Sequence, residues 1–187
     1  MDINERELIR QAKEGSHDAL EQIFRLHLDS AIRLAYLICR NWATAEDAVQ
    51  EAFLQAFRSL DSFQADRPFK PWFTKIVVNK AKRTKERLDR GHLPYEFEGP
   101  NPHRTFAPEE QALDREAMND LFQAINELDE KHRLPLLLKY VSGLTEAQIA
   151  ETLGMPVSRV KSRLYVARQR LKKYIEVLEG GGQNEGV

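Results

Sequence analysis

At 187 residues, with 42% hydrophobic and 30% charged residues, the chain has the size of one large domain or two small ones and the make-up of a folded globule. No apolar run is long enough to span a bilayer, and the polar opening "MDINERELIRQAKEG" lacks the apolar stretch of a signal peptide, so direct membrane insertion is not expected. The net charge of −1 hides a segregated distribution, the single Cys39 excludes an internal disulfide, and the five scattered histidines offer no ligands at metal spacing; a reducing cytoplasm and no metal or other cofactor are the expectation.

Strand signals are nearly absent, and helical periodicity predicts an all-α fold. A first helix is expected over about 4–13, ending at Gly15. Ser16 or Asp18 can cap a long second helix to about Arg40, whose apolar residues Leu20, Ile23, Phe24, Ala31, Leu34, Ala35, Leu37 and Ile38 repeat at 3.6-residue spacing. "NWATAED" reads as a turn, with Thr44 and Asp47 spaced as a capping box before a third helix to about Leu60. Two prolines break "DSFQADRPFKP", and a fourth helix is expected from near Pro71 through "WFTKIVVNKAKRTKERL".

Residues 91–108 hold two glycines and four prolines without periodicity, which predicts a linker carrying Tyr95, Phe97 and Phe106. Helices are then expected at about 109–127, 130–141, 145–153 and 157–178, with disorder over 179–187. The domain reading is therefore a helical domain over 1–90, the linker, and a second helical domain over 109–178, each burying its own small core.

Charge follows this division. Residues 64–90 carry nine Lys or Arg against three acids, residues 91–130 two against ten, and residues 131–174 ten against two. Two basic blocks separated by an acidic stretch suggest two contacts with a polyanion.

"LTEAQIAETLGMPVSRVKSRLYVARQRLKKY" (144–174) has the signature of a helix-turn-helix: Thr145 caps with Gln148 three residues on, Ile149, Ala150 and Leu153 face inward, Gly154 makes the turn and Pro156 opens the next helix. At 100° per residue, Val160, Leu164, Ala167 and Leu171 form the core stripe of that second helix. Ser158, Lys161, Ser162, Tyr165 and Gln169 lie opposite, suited to base edges. Arg159, Arg163 and Arg170 line one flank, and Arg168 and Lys172 the other, suited to phosphates.

A reader of duplex DNA would not need the other basic block, which interleaves Phe69, Trp72 and Phe73 with Lys75, Asn79, Lys80, Lys82 and Arg83. Aromatic faces stack only on bases already unstacked, while cations hold the strand, so this block is suited to opened DNA. At least one of Trp72 and Phe73 is expected in the core.

The chain resembles the extracytoplasmic-function (ECF) group of bacterial RNA polymerase sigma factors over about residues 5–178. "AEDAVQEAFLQAFRSLDSF" resembles the polymerase-binding helix, "PFKPWFTKIVVNKAKR" the −10 segment and "LTEAQIAETLGMPVSRVKSRLYVAR" the −35 helix-turn-helix. The resemblance implies a sigma-2-like four-helix domain and a sigma-4-like helix-turn-helix domain joined by a flexible linker. The implied activity is binding of core polymerase, recognition of −10 and −35 elements and assistance in promoter melting, without catalytic residues. The implied partners are the polymerase β and β′ subunits, promoter DNA and an anti-sigma factor, which can be membrane-anchored. By position, Asp47, Gln50 and Glu51 match polymerase contacts. Phe63, Phe69, Trp72, Lys75, Asn79, Lys80 and Arg83 match the −10 surface, with residues 63–69 as a base-capturing loop. Ser158, Arg159, Lys161, Ser162, Arg163 and Tyr165 match the −35 surface. The chain departs from the family pattern at Pro71, Phe73 and Val166. A duplex-binding repressor or activator, an enzyme acting on nucleic acid and an RNA-binding adaptor are weaker readings, lacking a use for the aromatic–basic helix, clustered carboxylates or metal ligands near a basic groove, and a sheet, respectively.

Overall fold

The computed structural model describes residues 3–64, 66–90 and 112–181, with side chains described over 5–64, 66–90 and 120–176. The expected linker and the tail from residue 182 lie outside the described residues. Eight α-helices and one 3-10 turn make up the described elements: α1 (Ile3–Lys13), α2 (His17–Cys39), α3 (Trp42–Arg58), the 3-10 turn (Leu60–Ser62), α4 (Phe69–Arg90), α5 (Ala112–Glu127), α6 (Glu130–Tyr140), α7 (Glu146–Leu153) and α8 (Val157–Gly181). Residues 179–181, expected in a disordered tail, continue α8.

Local chemistry sets most boundaries. Gly15 takes φ +92°, and Ser16 Oγ then accepts the Ala19 N–H to open α2. α2 ends on Arg40, a non-glycine residue at φ +64°, whose N–H bonds the Tyr36 carbonyl. The expected start of α3 is corrected. Asn41 is its N-cap and accepts from the Thr44 N–H at 2.8 Å, so Thr44 lies within the first turn of the helix. α4 likewise starts at Phe69, two residues before Pro71. A proline is tolerated there because N–H groups of a first turn have no intrahelical partner.

The first four helices pack as a bundle. Ala45, Ala48, Ala52 and Ala56 form a fully buried stripe on α3, and small residues let neighbouring helices approach closely. Around them lies an aromatic core. Phe53 stands 4.5 Å from both Phe24 and Phe73, and Tyr36 stacks on Trp42 at 4.0 Å. Phe73 is 2% exposed and Pro71 is buried, so two departures from the family pattern are packing residues.

In the second half, Leu134, Leu137 and Leu138 of α6 pack with Ile149 of α7 and with Val160, Leu164 and Ala167 of α8. Truncating a fully buried residue such as Leu137 to Ala would cost about 2–5 kcal/mol.

The two halves also dock on one another. α7 packs against α4 and α6 against α2, and the two apolar cores join into one cluster. Polar bridges cross the junction: Lys82 to Glu130 at 2.7 Å, Arg67 to Glu151 at 3.5 Å, and the Arg40 guanidinium donating to the Asn126 carbonyl at 2.9 Å. Apolar and polar contacts thus hold the two helical halves against one another. No helix among the described residues is long and apolar enough to cross a membrane.

Candidate nucleic-acid and polymerase interfaces

The helix-turn-helix forms as its sequence dictates. Thr145 Oγ1 accepts the Gln148 N–H at 3.3 Å while Gln148 Oε1 accepts the Thr145 N–H at 2.8 Å, a complete capping box for α7. Gly154 turns the chain at φ +62°, a left-handed conformation that favours glycine. The core stripe of α8 is as expected: Val160, Leu164 and Ala167 are buried and Leu171 is partly buried against them. Opposite them Ser158, Lys161 and Ser162 are exposed and Tyr165 is 60% exposed, while on the flank Arg159 is exposed and Arg163 half-buried, as is Val166.

Lys161 Nζ lies 3.9 Å from Glu146, a loose and solvent-exposed pair that leaves the ammonium accessible. Arg170 differs. Its guanidinium donates to Asp129 at 2.9 Å, ties α8 to the start of α6, and holds the Asp129 carboxyl below the usual carboxylate range. Of the basic flank, Arg170 is therefore a structural tie as well as a charge.

On α4, Phe73, Ile76, Val77, Ala81 and Thr84 face the core. Lys75, Asn79 and Arg83 are exposed at four-residue spacing and form one stripe, edged by half-buried Trp72 and Lys80. An open groove of about 340 Å³ continues this face, lined by Lys80, Arg83, Arg87 and Arg90 with Glu51, Glu86 and Thr84. A cationic track beside an aromatic edge suits a single strand.

Two expected DNA contacts are corrected. Phe63 is 4% and Phe69 0% exposed, and a buried ring has no free face on which to stack a base. Phe63 packs edge-on to Phe69 at 5.6 Å and lies 4.8 Å from Trp72. These rings anchor the two ends of the loop; among its described residues Gln64, Asp66, Arg67 and Pro68 are exposed.

α3 presents the third face. With its alanine stripe buried, Asp47, Gln50 and Glu51 point outward. Leu54, 49% exposed, extends this line and was missed by the sequence reading. Its signal was its spacing: seven residues after Asp47, four after Gln50 and three after Glu51, it falls on their helical face.

The described residues form an all-α fold that carries a helix-turn-helix and, packed against its first helix, an aromatic–basic helix. The Sigma-70 region 2 model matches residues 23–91 and the Sigma-70 region 4 model residues 118–171. The ECF RNA polymerase sigma factor SigW of Bacillus subtilis is 30% identical over 187 residues, covering 95% of this chain and all of the relative. The ECF RNA polymerase sigma-E factor of Escherichia coli K12 is 33% identical over 141 residues, covering 71% of this chain and 74% of the relative. Among solved structures, the sigma factor RpoE in complex with the anti-sigma factor NepR, from Bartonella quintana, superposes with a TM-score of 0.68 at 26% identity, covering 84% of this chain and 96% of that one. CnrH in complex with the cytosolic domain of CnrY superposes at 0.71 and 24% identity, covering 92% and 97%, and shows the shared fold.

The chain belongs to the ECF RNA polymerase sigma factor family. It binds core RNA polymerase and directs promoter-specific transcription initiation through −10 and −35 elements.

Proposed function

We propose that the three exposed stripes divide the work of initiation among them. Asp47, Gln50, Glu51 and Leu54 on α3 meet core polymerase at β′. Trp72, Lys75, Asn79, Lys80 and Arg83 on α4 hold the opened −10 strand, with residues 63–69 forming the loop that captures a flipped base. Ser158, Arg159, Lys161, Ser162, Arg163 and Tyr165 on α8 meet the −35 duplex. The observation that carries this reading is the phase of the helices: in each, apolar residues fill the core and the matched polar residues lie together on the opposite side.

Melting then requires no covalent step, and the protein acts as a non-enzymatic initiation factor in the cytoplasm. Strand separation is driven by differential binding: Lys75, Lys80 and Arg83 neutralise phosphates, and the aromatic edge and Asn79 favour a base that has left the stack. An anti-sigma factor is the proposed regulator, supported by the Bartonella neighbour, solved with one bound. Whether that regulator is membrane-anchored is a property of the partner chain.

Permanganate footprinting of the reconstituted holoenzyme tests the division of labour. Asn79→Ala should reduce reactivity of unpaired −10 thymines while leaving closed-complex binding near wild type. Equal loss of both would count against base capture by this face.

A further inference from the structure

The loop proposed to capture a base is itself held by a helix that lies outside the matched region 2 segment. A lysine in the last turn of a helix ordinarily faces that helix's own free carbonyls. Lys13, the last residue of α1, does something else. Its ammonium reaches 48 and 50 residues along the chain to the Asp61 carbonyl at 3.2 Å and the Phe63 carbonyl at 2.6 Å. Both acceptors sit where the 3-10 turn gives way to the loop, and one cation bridging two carbonyls fixes that exit. Hydrogen bonds from a charged donor are shorter and stronger than neutral ones.

What Phe63 holds next is the DNA face. Its ring is packed edge-on to Phe69 and lies 4.8 Å from Trp72 at the rim of the α4 stripe. Between the anchored phenylalanines, the Arg67 N–H bonds the Gln64 carbonyl at 3.0 Å and closes a turn with Gln64, Asp66 and Arg67 exposed. The far anchor is braced by the same helix. Glu5 of α1 holds His27 Nε2 at 2.8 Å, and the His27 ring packs on Phe69 at 5.1 Å.

We infer that Lys13 is a positioning residue for −10 recognition: by clamping the Asp61 and Phe63 carbonyls it fixes the loop that presents Gln64, Asp66 and Arg67 to the opened strand. The inference rests on the proposed base-capturing role of that loop. Lys13 makes no contact with DNA in this account. Leu8, Ile9 and Ala12 dock α1 independently of it. Removing the ammonium should therefore loosen the loop without releasing the helix.

The test uses reconstituted holoenzyme and a promoter library randomised in both the −10 and −35 elements, with run-off transcripts sequenced. Lys13→Met keeps the length and apolar stem and removes the donors; Lys13→Arg keeps donors. Lys13→Met should weaken base preference within the −10 element by about 5–10-fold, the scale of one net hydrogen bond. The −35 preference and affinity for core polymerase should stay at wild type, and Lys13→Arg should recover most of the −10 preference. An unchanged −10 preference in Lys13→Met would overturn the inference. So would a parallel decline of −10 preference, −35 preference and core affinity, since that is the pattern of general destabilisation. A Gln64→Ala, Arg67→Ala double variant separates the two levels. If it retains full −10 preference, the loop reading fails and the inference falls with it; if it loses preference while Lys13→Met does not, only the role of Lys13 fails.

Discussion

Glu51 and Lys80 face each other at 3.1 Å across α3 and α4, one on the proposed polymerase face and the other on the proposed −10 face. The two surfaces therefore share an ion pair. Glu51→Lys would replace attraction with repulsion and place a cation on the acidic polymerase face. Its fold cost should be small, because a half-exposed pair contributes about 1 kcal/mol or less. Affinity for core polymerase should fall, and Glu51→Gln should fall less. Competition of each variant with wild type for limiting core enzyme measures this, and undiminished competition by Glu51→Lys would remove Glu51 from the interface.

Lys161 lies on the open centre of α8, and its pairing with Glu146 is loose enough to yield to a base edge. Lys161→Ala should cost about 1–3 kcal/mol of discrimination at one or two −35 positions. Binding of single-base variants of a −35 duplex distinguishes base reading from phosphate contact. A uniform loss across all variants would make Lys161 a backbone contact.

The helix-turn-helix was legible because its signals are local: a cap, a glycine, a proline and an apolar stripe all fall within one short segment. The start of α3 was not. Asn41 and Thr44 both have capping chemistry, and the choice is made by Trp42, which must lie in the first turn to stack on Tyr36. The role of Phe63 and Phe69 was misjudged for a similar reason. Sequence shows aromatics beside cations, but His27, from α2, packs on the Phe69 ring, and Phe73 stacks on it one turn along α4, so the ring turns inward. Lys13 and the bridges between the halves leave no periodic trace at all. They join residues dozens of positions apart through single side chains.

The docking of the two halves should respond to acid and salt. Lys82 hydrogen-bonds the Glu130 carboxylate and holds its pKa below the ordinary carboxylate value, with further help from Lys85 and Arg133. A depressed carboxylate stabilises the docked state above its unperturbed pKa, and that contribution is lost as pH falls through the lowered value. Acidification below the usual carboxylate range, and raised salt, should both shift the protein toward an extended form. Small-angle scattering reads this as a rise in radius of gyration, and Glu130→Gln should show part of the rise at neutral pH. An acid-insensitive radius would mean that the apolar contacts of α4 with α7 hold the halves without the ion pair.

Cys39 is fully buried, and burial pushes its thiol up to about 12. Only the thiolate is a good nucleophile, so the native protein should resist alkylation at neutral pH and react once unfolded. Mass spectrometry after iodoacetamide treatment with and without denaturant checks this. Rapid modification of the native state would show that α2 and α4 separate readily around Ala81, whose carbonyl Cys39 contacts at 3.4 Å.

Site-specific photocrosslinking in the open complex tests most directly whether α4 and α8 serve different promoter elements. With a benzophenone side chain placed at Asn79 or at Tyr165 in the reconstituted holoenzyme, the crosslinked bases can be mapped by primer extension. The Asn79 probe should mark the −10 element of the opened strand and the Tyr165 probe the −35 duplex. Both probes marking one element, or neither reaching DNA, would contradict the account.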